Sequence, residues 1–356
     1  MSGVLIGLCL GALLGSFLNV CIYRIPRNIS VVNPARSFCP NCLHQIPWYE
    51  NIPVLGWFLL RGRCSQCGQS ISFRYPLVEL LTALLYAACA AIVPFPTFLS
   101  LWIFFSLLII ATFVDLEFLV IPDVVSKSGI VAGIVLSLIT PGLHQTVSQL
   151  SALTQSIVGC LTGAALLLLI GFLGRLAFGR HRIRLNTSAP FHFELLSEDD
   201  AQIVVNEESF RWQEYLTRKR DRIVVRVEDA MLNGKPYKNC VFKFFYDRLI
   251  TPRLTLPLEQ ITSLSGRVES IILPREAMGL GDVKLMAAIG AFTGWQGVLF
   301  TIASASVFGS VYGLAVAAAR HREWSSKVPF GPFLALGSII WILGGRGAVL
   351  EFFNVH

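Results

Sequence analysis

"EAMGLGDVKLMAAIGAF", residues 276–292, sets Gly279, Gly281 and Asp282 directly in front of an apolar run. An acid at the mouth of a membrane helix is energetically expensive and calls for a reason. The rest of the chain argues that the run is such a helix. Of 356 residues, 54% are hydrophobic and only 14% charged, and the mean hydropathy is +0.63. A soluble protein of this length has no use for so much apolar surface. Crossing a hydrocarbon core takes roughly 20 apolar residues. Runs at 4–22, 77–93, 98–114, 129–140, 155–178, 283–293, 297–319 and 329–344 predict about eight transmembrane helices. The first lacks a basic segment before it and is too long for a cleaved signal, so it reads as a permanent helix.

Basic residues beside the spans set the orientation. Arg24, Arg27, Arg36, Arg61, Arg63 and Arg74 separate spans one and two. Arg175, Arg180, Arg182 and Arg184 follow span five, and Arg320, Arg322 and Lys327 separate spans seven and eight. The connections 94–97, 141–154 and 294–296 carry no Lys or Arg. An even number of crossings with both ends outside puts every basic loop in the cytoplasm. The net charge of +7 is thus a mark of topology, not of nucleic-acid binding. Contact of the basic loops with membrane lipids follows from the same charges.

The fold class expected is an all-α polytopic membrane protein with two cytoplasmic additions. Residues 1–23 form the first helix and 24–76 a polar loop bearing Cys and Pro. Residues 77–178 carry helices two to five, and 276–356 helices six to eight. Between them, 179–275 has mixed charge and no span. "DRIVVRVEDAML" and "KNCVFKFFYDRLI" there alternate around Asn233-Gly234, a strong local hairpin signal, while "SFRWQEYLTRKRDR" (209–222) looks helical. The insert reads as a β-rich subdomain without a catalytic motif.

"CPNC" (39–42) and "CSQCG" (64–68) form a C-x2-C…C-x2-C pattern with 21 residues between the pairs. Two such turns can offer four thiolates to one tetrahedral zinc, a closed and therefore structural site. Disulfides are the alternative, but the predicted compartment keeps thiols reduced. Cys9, Cys21, Cys89 and Cys160 lie in apolar spans as small buried side chains.

Span three runs into "DLEFLVIPD" (115–123). Pro122 ends the helix at or before itself, and Asp123 reads as a turn or cap residue. Glu117 lies about 200° round a helix from Asp115, so the two do not share a face. Asp115 ends a helix coming in and Asp282 begins one going out, which puts both at one membrane depth. Two carboxyls on one water, one protonated and one not, are the apparatus of aspartic-protease chemistry. Equally, Asp282 reads as a helix N-cap and Asp115 as an interfacial polar residue. The glycines permit close backbone approach and unusual dihedrals, which suits an extended substrate strand.

Taken together, "GSFLNVCIYRIP" (15–26), "ENIPVLGWFLLRGRCSQCG" (50–68), "ISFRYPLVELLTA" (71–83), "DLEFLVIPD", "GLGDVKLMAAIGAFTGW" (279–295) and "PFGPFLALG" (329–337) resemble the type IV prepilin peptidases in family order. The resemblance spans nearly the whole chain except the insert. It implies an inner-membrane aspartic endopeptidase that cuts the basic leader from prepilins and pseudopilins, of type IV pili or type II secretion, at the cytoplasmic face. In this family the cut falls after a Gly, and S-adenosylmethionine then serves N-methylation of the exposed Phe-like residue. Carried over by motif, Asp115 and Asp282 are the catalytic pair and Cys39, Cys42, Cys64 and Cys67 the zinc ligands. Gly279, Gly281, Pro329, Phe330 and Gly331 would hold substrate. The large insert departs from the family pattern and is a candidate cover for the site, or docking surface for pilus or secretion machinery. Two rival readings remain: a transporter with Asp115 and Asp282 on an ion route, and an inactive pilus-assembly scaffold.

Overall fold

The computed structural model describes residues 2–33, 37–178, 180–197, 200–206, 208–216, 221–274, 278–320 and 329–347. Arg36, Arg322 and Lys327, used above for orientation, lie outside the described residues, as does the 217–220 part of the expected helical stretch. The chain divides into two compact units, Met1–Leu168 with Leu280–His356, and Leu169–Gly279.

The first unit is helical. Its elements are α1 (Ser2–Arg24), the short α2 (Leu55–Leu59), α3 (Arg74–Ile92), α4 (Thr97–Phe118), α5 (Asp123–Ile139) and the first part of α6 (Gln149–Phe178). Among the described residues, five helices are long and apolar enough to cross a membrane: Ser2–Arg24, Arg74–Ile92, Thr97–Phe118, Gln149–Leu176 and Leu280–Val316. The chain is a multi-pass membrane protein. Three of the eight expected spans fall short as single crossings: α5 with 17 residues, the part of the helix Leu280–Arg320 before its break at Gly294 and the apolar stretch Gly331–Gly345.

Small residues decide how the helices meet. Gly7, Gly11 and Gly15 recur every four residues along one face of α1. A Cβ at Gly11 would stand 2.6 Å from the Cα of Ala83, and one at Gly15 2.6 Å from the Cα of Glu79. Each step forward on α1 is a step back on α3, so the two run antiparallel with backbones in contact, where dispersion replaces a hydrophobic drive. Likewise a Cβ at Gly159 of α6 would collide with the carbonyl oxygen of Gly290, and one at Gly290 with that of Gly159.

The second unit holds an antiparallel sheet, so the helical class applies to the membrane body alone. Its strands are β1 (Arg180–Ser197), β2 (Asp200–Val205), β3 (Glu208–Arg211), β4 (Ile223–Leu232), β5 (Lys235–Phe244), β6 (Arg248–Ile250), β7 (Thr255–Pro257) and β8 (Leu264–Pro274), with α7 (Trp212–Tyr215) after β3. The order is β3-β2-β1-β8-β4-β5-β6-β7. Asn233 (φ 49°) and Gly234 (φ 76°) turn β4 into β5, both in the left-handed region as a type I′ turn demands. In the stretch 209–222 a strand and one helical turn stand where a longer helix is expected: Phe210 and Trp212 are buried in the sheet's core with Phe191, Ile203, Val225 and Phe244. Burial of those rings outweighs local helix preference.

In the helical unit, α8 (Leu280–Arg320) and α9 (Gly331–Ile340) complete the chain. Gly294 breaks α8 with φ 71° and ψ 176°. A Cβ at Gly290 would lie 2.9 Å from the Cγ2 of Val298, whereas eight residues on a straight helix span about 12 Å. The arms before and after Gly294 therefore fold back on each other.

Candidate active site and metal centre

Asp115 sits in the last turn of α4 and is 5% exposed. The helix stops because Leu119 takes a left-handed conformation (φ 56°) and its amide closes on the Asp115 carbonyl oxygen at 2.9 Å. Pro122 then rules out continuation, and α5 starts at Asp123. The Asp115 carboxyl is held from a distant part of the sequence: Oδ2 accepts a hydrogen bond from the backbone N–H of Gly331, 2.9 Å away, at the start of α9. A Cβ at residue 331 would stand 2.7 Å from that oxygen. Gly331, expected beside a substrate, lies directly against this carboxyl.

Asp282 is half-buried in the first turn of α8. Since α8 begins at Leu280, Asp282 is inside the helix and not its N-cap. Contacts on both sides of it reach the α4–α5 turn. Gly281 packs on Ile121, with a Cβ there only 3.2 Å from Cβ of Ile121. Lys284 pairs with Asp123, whose other oxygen meets Lys127 at 2.8 Å. Asp123 thus serves as an ion-pair anchor; the cap position falls to Pro122, which has no capping side chain. Gly281, which does not take positive φ, is needed for that close approach to Ile121. The structure brings Asp115 to Gly331 and the start of α8 to the α4–α5 turn. Pro329 and Phe330, half-buried, lead directly into the Gly331 amide.

Glu117, two positions past Asp115, makes a different set of contacts. Its carboxylate takes Arg27 at 2.9 Å and also Arg74. The Arg27 guanidinium lies over the rings of Tyr23 and Phe118, at 4.2 and 5.0 Å. The last turn of α4 therefore turns one acid toward α9 and another toward the turn after α1 and the start of α3.

The cysteine loop contains two matching turns. In the first, the Cys39 amide bonds the His44 carbonyl and the Leu43 amide the Cys39 carbonyl; in the second, Cys64 and Gln69, and Gly68 and Cys64, do the same. Leu43 (φ 58°) and Gly68 (φ 69°) take the left-handed region at equivalent places. The four sulfurs lie within 4.8 Å of one another, with Cys39–Cys67 at 3.8 Å and Cys42–Cys64 at 4.0 Å. Zn–S bonds of 2.3 Å at tetrahedral angles place sulfurs about 3.8 Å apart. The cluster can hold a metal ion, and its spacing suits that one. The Gln69 amide and then the Asn41 side chain donate to the Cys67 sulfur and hold its thiol down at about 6, while, against the His44 amide, the neighbouring sulfurs help push the Cys42 thiol up to about 11.

Beside this loop lies a cavity of about 520 Å³ whose wall includes Asn19, Tyr23, Trp57, Arg74, Glu79 and Glu117. Asn19 is 2% exposed. Its Nδ2 donates to the Tyr75 carbonyl at 3.0 Å, but among the described residues Oδ1 has no donor, nor the Arg74 Nε an acceptor. Asn19 and Arg74 stand inside the quoted motifs but carry no chemical signature on their own, so only the fold exposes their unmet bonds.

Residues 9–93 match the family profile described as the bacterial peptidase A24 N-terminal domain, and 245–314 the one described as the type IV leader peptidase family. The chain is 35% identical over 181 residues to a prepilin leader peptidase/N-methyltransferase of Klebsiella pneumoniae, covering 49% of this chain and 75% of that one. This chain belongs to the type IV leader peptidase family. A protein of the same name from Aeromonas hydrophila is 27% identical over 94% of this chain and 88% of its own. One from Myxococcus xanthus is 47% identical, over 36% of this chain and 38% of its own. No solved structure matches significantly. Asp282 and the four cysteines fall within the family profiles' matched segments, while Asp115 and Gly331 lie outside them.

Proposed function

We propose that this chain is a prepilin leader peptidase and N-methyltransferase of the bacterial inner membrane. It cleaves the leader of type IV prepilins or pseudopilins at the cytoplasmic face and then methylates the new N-terminus. Membership of the family and the names of the relatives support the reaction. The single observation that carries the acid pair is the bracketing of Asp282 by Gly281 on Ile121 and Lys284 on Asp123. Those contacts tie the start of α8 to the turn that follows Asp115.

In this reading one of Asp115 and Asp282 takes a proton from water while the other, protonated, hydrogen-bonds the scissile carbonyl. Water adds to the carbonyl carbon, the C–N bond breaks, and the departing nitrogen receives a proton. Gly331 fixes the rotation of Asp115, and Pro329 and Phe330 with Gly279 and Gly281 border the substrate strand. The acids stand at helix ends because the substrate is itself a membrane helix whose cut site lies at the water boundary. Zinc on Cys39, Cys42, Cys64 and Cys67 closes the loop as a structural site. The basic loops, zinc loop and insert are cytoplasmic by their Lys and Arg content. The insert is offered as a docking surface for pilus or secretion machinery.

S-adenosylmethionine, when bound, supplies a methyl group on a sulfonium: the N–C bond forms as the C–S bond breaks, sulfur leaves as a neutral thioether, and the amine loses one proton. The unmet Asn19 Oδ1 and Arg74 Nε are compatible with a ligand carrying both donors and an acidic group.

The test is leader cleavage by the purified full-length protein in lipid. Asp115→Asn and Asp282→Asn should each abolish cleavage of a prepilin while zinc content and melting stay at wild-type values. Substantial turnover by either variant refutes the paired-acid mechanism.

A further inference from the structure

The short helix α2 (Leu55–Leu59) carries its apolar side chains on the wrong face for a helix in water. Leu55, Phe58 and Leu59, at the i, i+3, i+4 spacing of one helix face, are 59, 57 and 75% exposed. The inward side is taken by Gly56, which is buried, and by Trp57, whose Nε1 donates to the Ile71 carbonyl at 3.0 Å. A contiguous apolar face of this kind marks an interaction surface, and the way α2 is held says what it meets. Just before the helix, Val54 takes φ 63° and ψ −55°, with the Leu55 amide 2.7 Å from the Pro53 carbonyl oxygen. That is a γ-turn, strained for a β-branched residue, and strain kept in this way marks a geometry the fold requires. It brings the Val54 amide to Glu79 Oε2 at 2.6 Å. Glu79 lies five residues inside α3, about 7.5 Å along the axis from Arg74, and α3 is long and apolar enough to cross a membrane. The start of α2 is therefore fastened beside the first turns of a membrane helix. Trp57 continues the contact, meeting Phe73 edge-on at 5.5 Å. Phe73, Leu77, Leu80 and Leu84, all exposed, then recur at helical spacing along α3 as its lipid-facing stripe. Arg61 and Arg63, both exposed, follow α2 directly.

We infer that α2 is an interfacial membrane anchor: Leu55, Phe58 and Leu59 enter the acyl edge of the leaflet at which Arg74 starts α3, and Arg61 and Arg63 meet its phosphates. An apolar helix face bordered by cations is what a phospholipid interface takes up, and the face is continuous with the lipid stripe of α3 through Trp57 and Phe73. The inference is independent of the reaction catalysed and of metal on the cysteines. It pins the middle of the loop 24–76, whose ends α1 and α3 already fix, so the cysteine turns on either side of α2 stay close to the membrane.

The experiment places the photo-crosslinking residue p-benzoylphenylalanine at position 58, 59 or 84 of the full-length protein in nanodiscs of phosphatidylethanolamine and phosphatidylglycerol. Adducts formed on irradiation are identified by mass spectrometry, and a wild-type melting temperature certifies the fold of each variant. Position 84, on the exposed stripe of α3, is the reference for lipid contact. Positions 58 and 59 should capture phospholipid at no less than about a third of the yield at 84, as side chains at the edge of the acyl region do. Arg61→Gln combined with Arg63→Gln should lower the yield at 58 by about twofold or more in these anionic discs and leave it unchanged in phosphatidylcholine discs; equal yields in both overturn the phosphate contact. Phospholipid adducts at 84 with none at 58 and 59 overturn the anchor. So do adducts at 58 and 59 to a second copy of this chain, or to a prepilin reconstituted with it, in place of lipid.

Discussion

Replacing Gly331 by alanine tests whether a backbone amide from α9 sets the catalytic geometry. The added Cβ would stand 2.7 Å from Asp115 Oδ2, 3.3 Å from Cγ and 3.4 Å from Cβ. Ordinary contact begins near 3.4 Å, so the oxygen must recede by about 0.7 Å or the α9 backbone must withdraw, since overlap at such range is steeply repulsive. Either movement lengthens the 2.9 Å bond from the Gly331 amide. A hydrogen bond to a charged group contributes about 1.5–3 kcal/mol, and each 1.36 kcal/mol in the barrier is tenfold in rate. Gly331→Ala should therefore lower kcat/KM for leader cleavage by about one to two orders of magnitude. Little loss of melting temperature should accompany it, because only one carboxyl must move. Initial rates on a prepilin substrate at low concentration measure the ratio. Gly281→Ala is the control with a milder conflict, 3.2 Å from the Ile121 Cβ, and should lose less than about tenfold. If Gly331→Ala cleaves within twofold of wild type, the amide does not position Asp115 in the working enzyme.

Three further outcomes follow from separate parts of the molecule. Cys42→Ser should lower metal content from about one zinc per chain toward none, read by atomic absorption, and loosen the first loop to protease; full zinc occupancy would contradict four-sulfur ligation. Gly68 has positive φ and open space where a Cβ would go, so Gly68→Ala should cost about 1 kcal/mol from backbone strain alone. The mirror change Leu43→Gly should gain a similar amount; zinc release to a chelator reads both, and equal rates in the two variants would refute the matched-turn account. Gly290→Ala forces side-chain volume against the Gly159 carbonyl and should destabilise by about 1–3 kcal/mol, seen as a lower melting temperature with the Asp115–Gly331 contact untouched.

Local signals in the sequence were the readable ones. Apolar length exposed the membrane helices, Asn233-Gly234 exposed its hairpin, and paired C-x2-C spacing exposed the cluster of four cysteines, because each depends on residues close together. What escaped depends on a partner. The Asp115–Gly331 bond joins residues 216 apart in sequence. The glycines of α1 acquire meaning only against Glu79 and Ala83 on α3. Glu117 could be excluded from the Asp115 face by helix geometry, but its arginine partners come from the turn after α1 and the start of α3. The short helical turn at Trp212 shows tertiary burial overriding a locally helical pattern. Sheet order was equally hidden, since β8 lies between β1 and β4 and nothing local records that insertion.

That interleaving bears on where the sheet can be cut. Its opening strand pairs with its closing one, Arg180 opposite Pro274, so its two ends lie about one strand spacing apart, roughly 4.8 Å. A linker that replaces the whole sheet between those two residues has only that short distance to close, which makes them the natural points for exchanging the cassette.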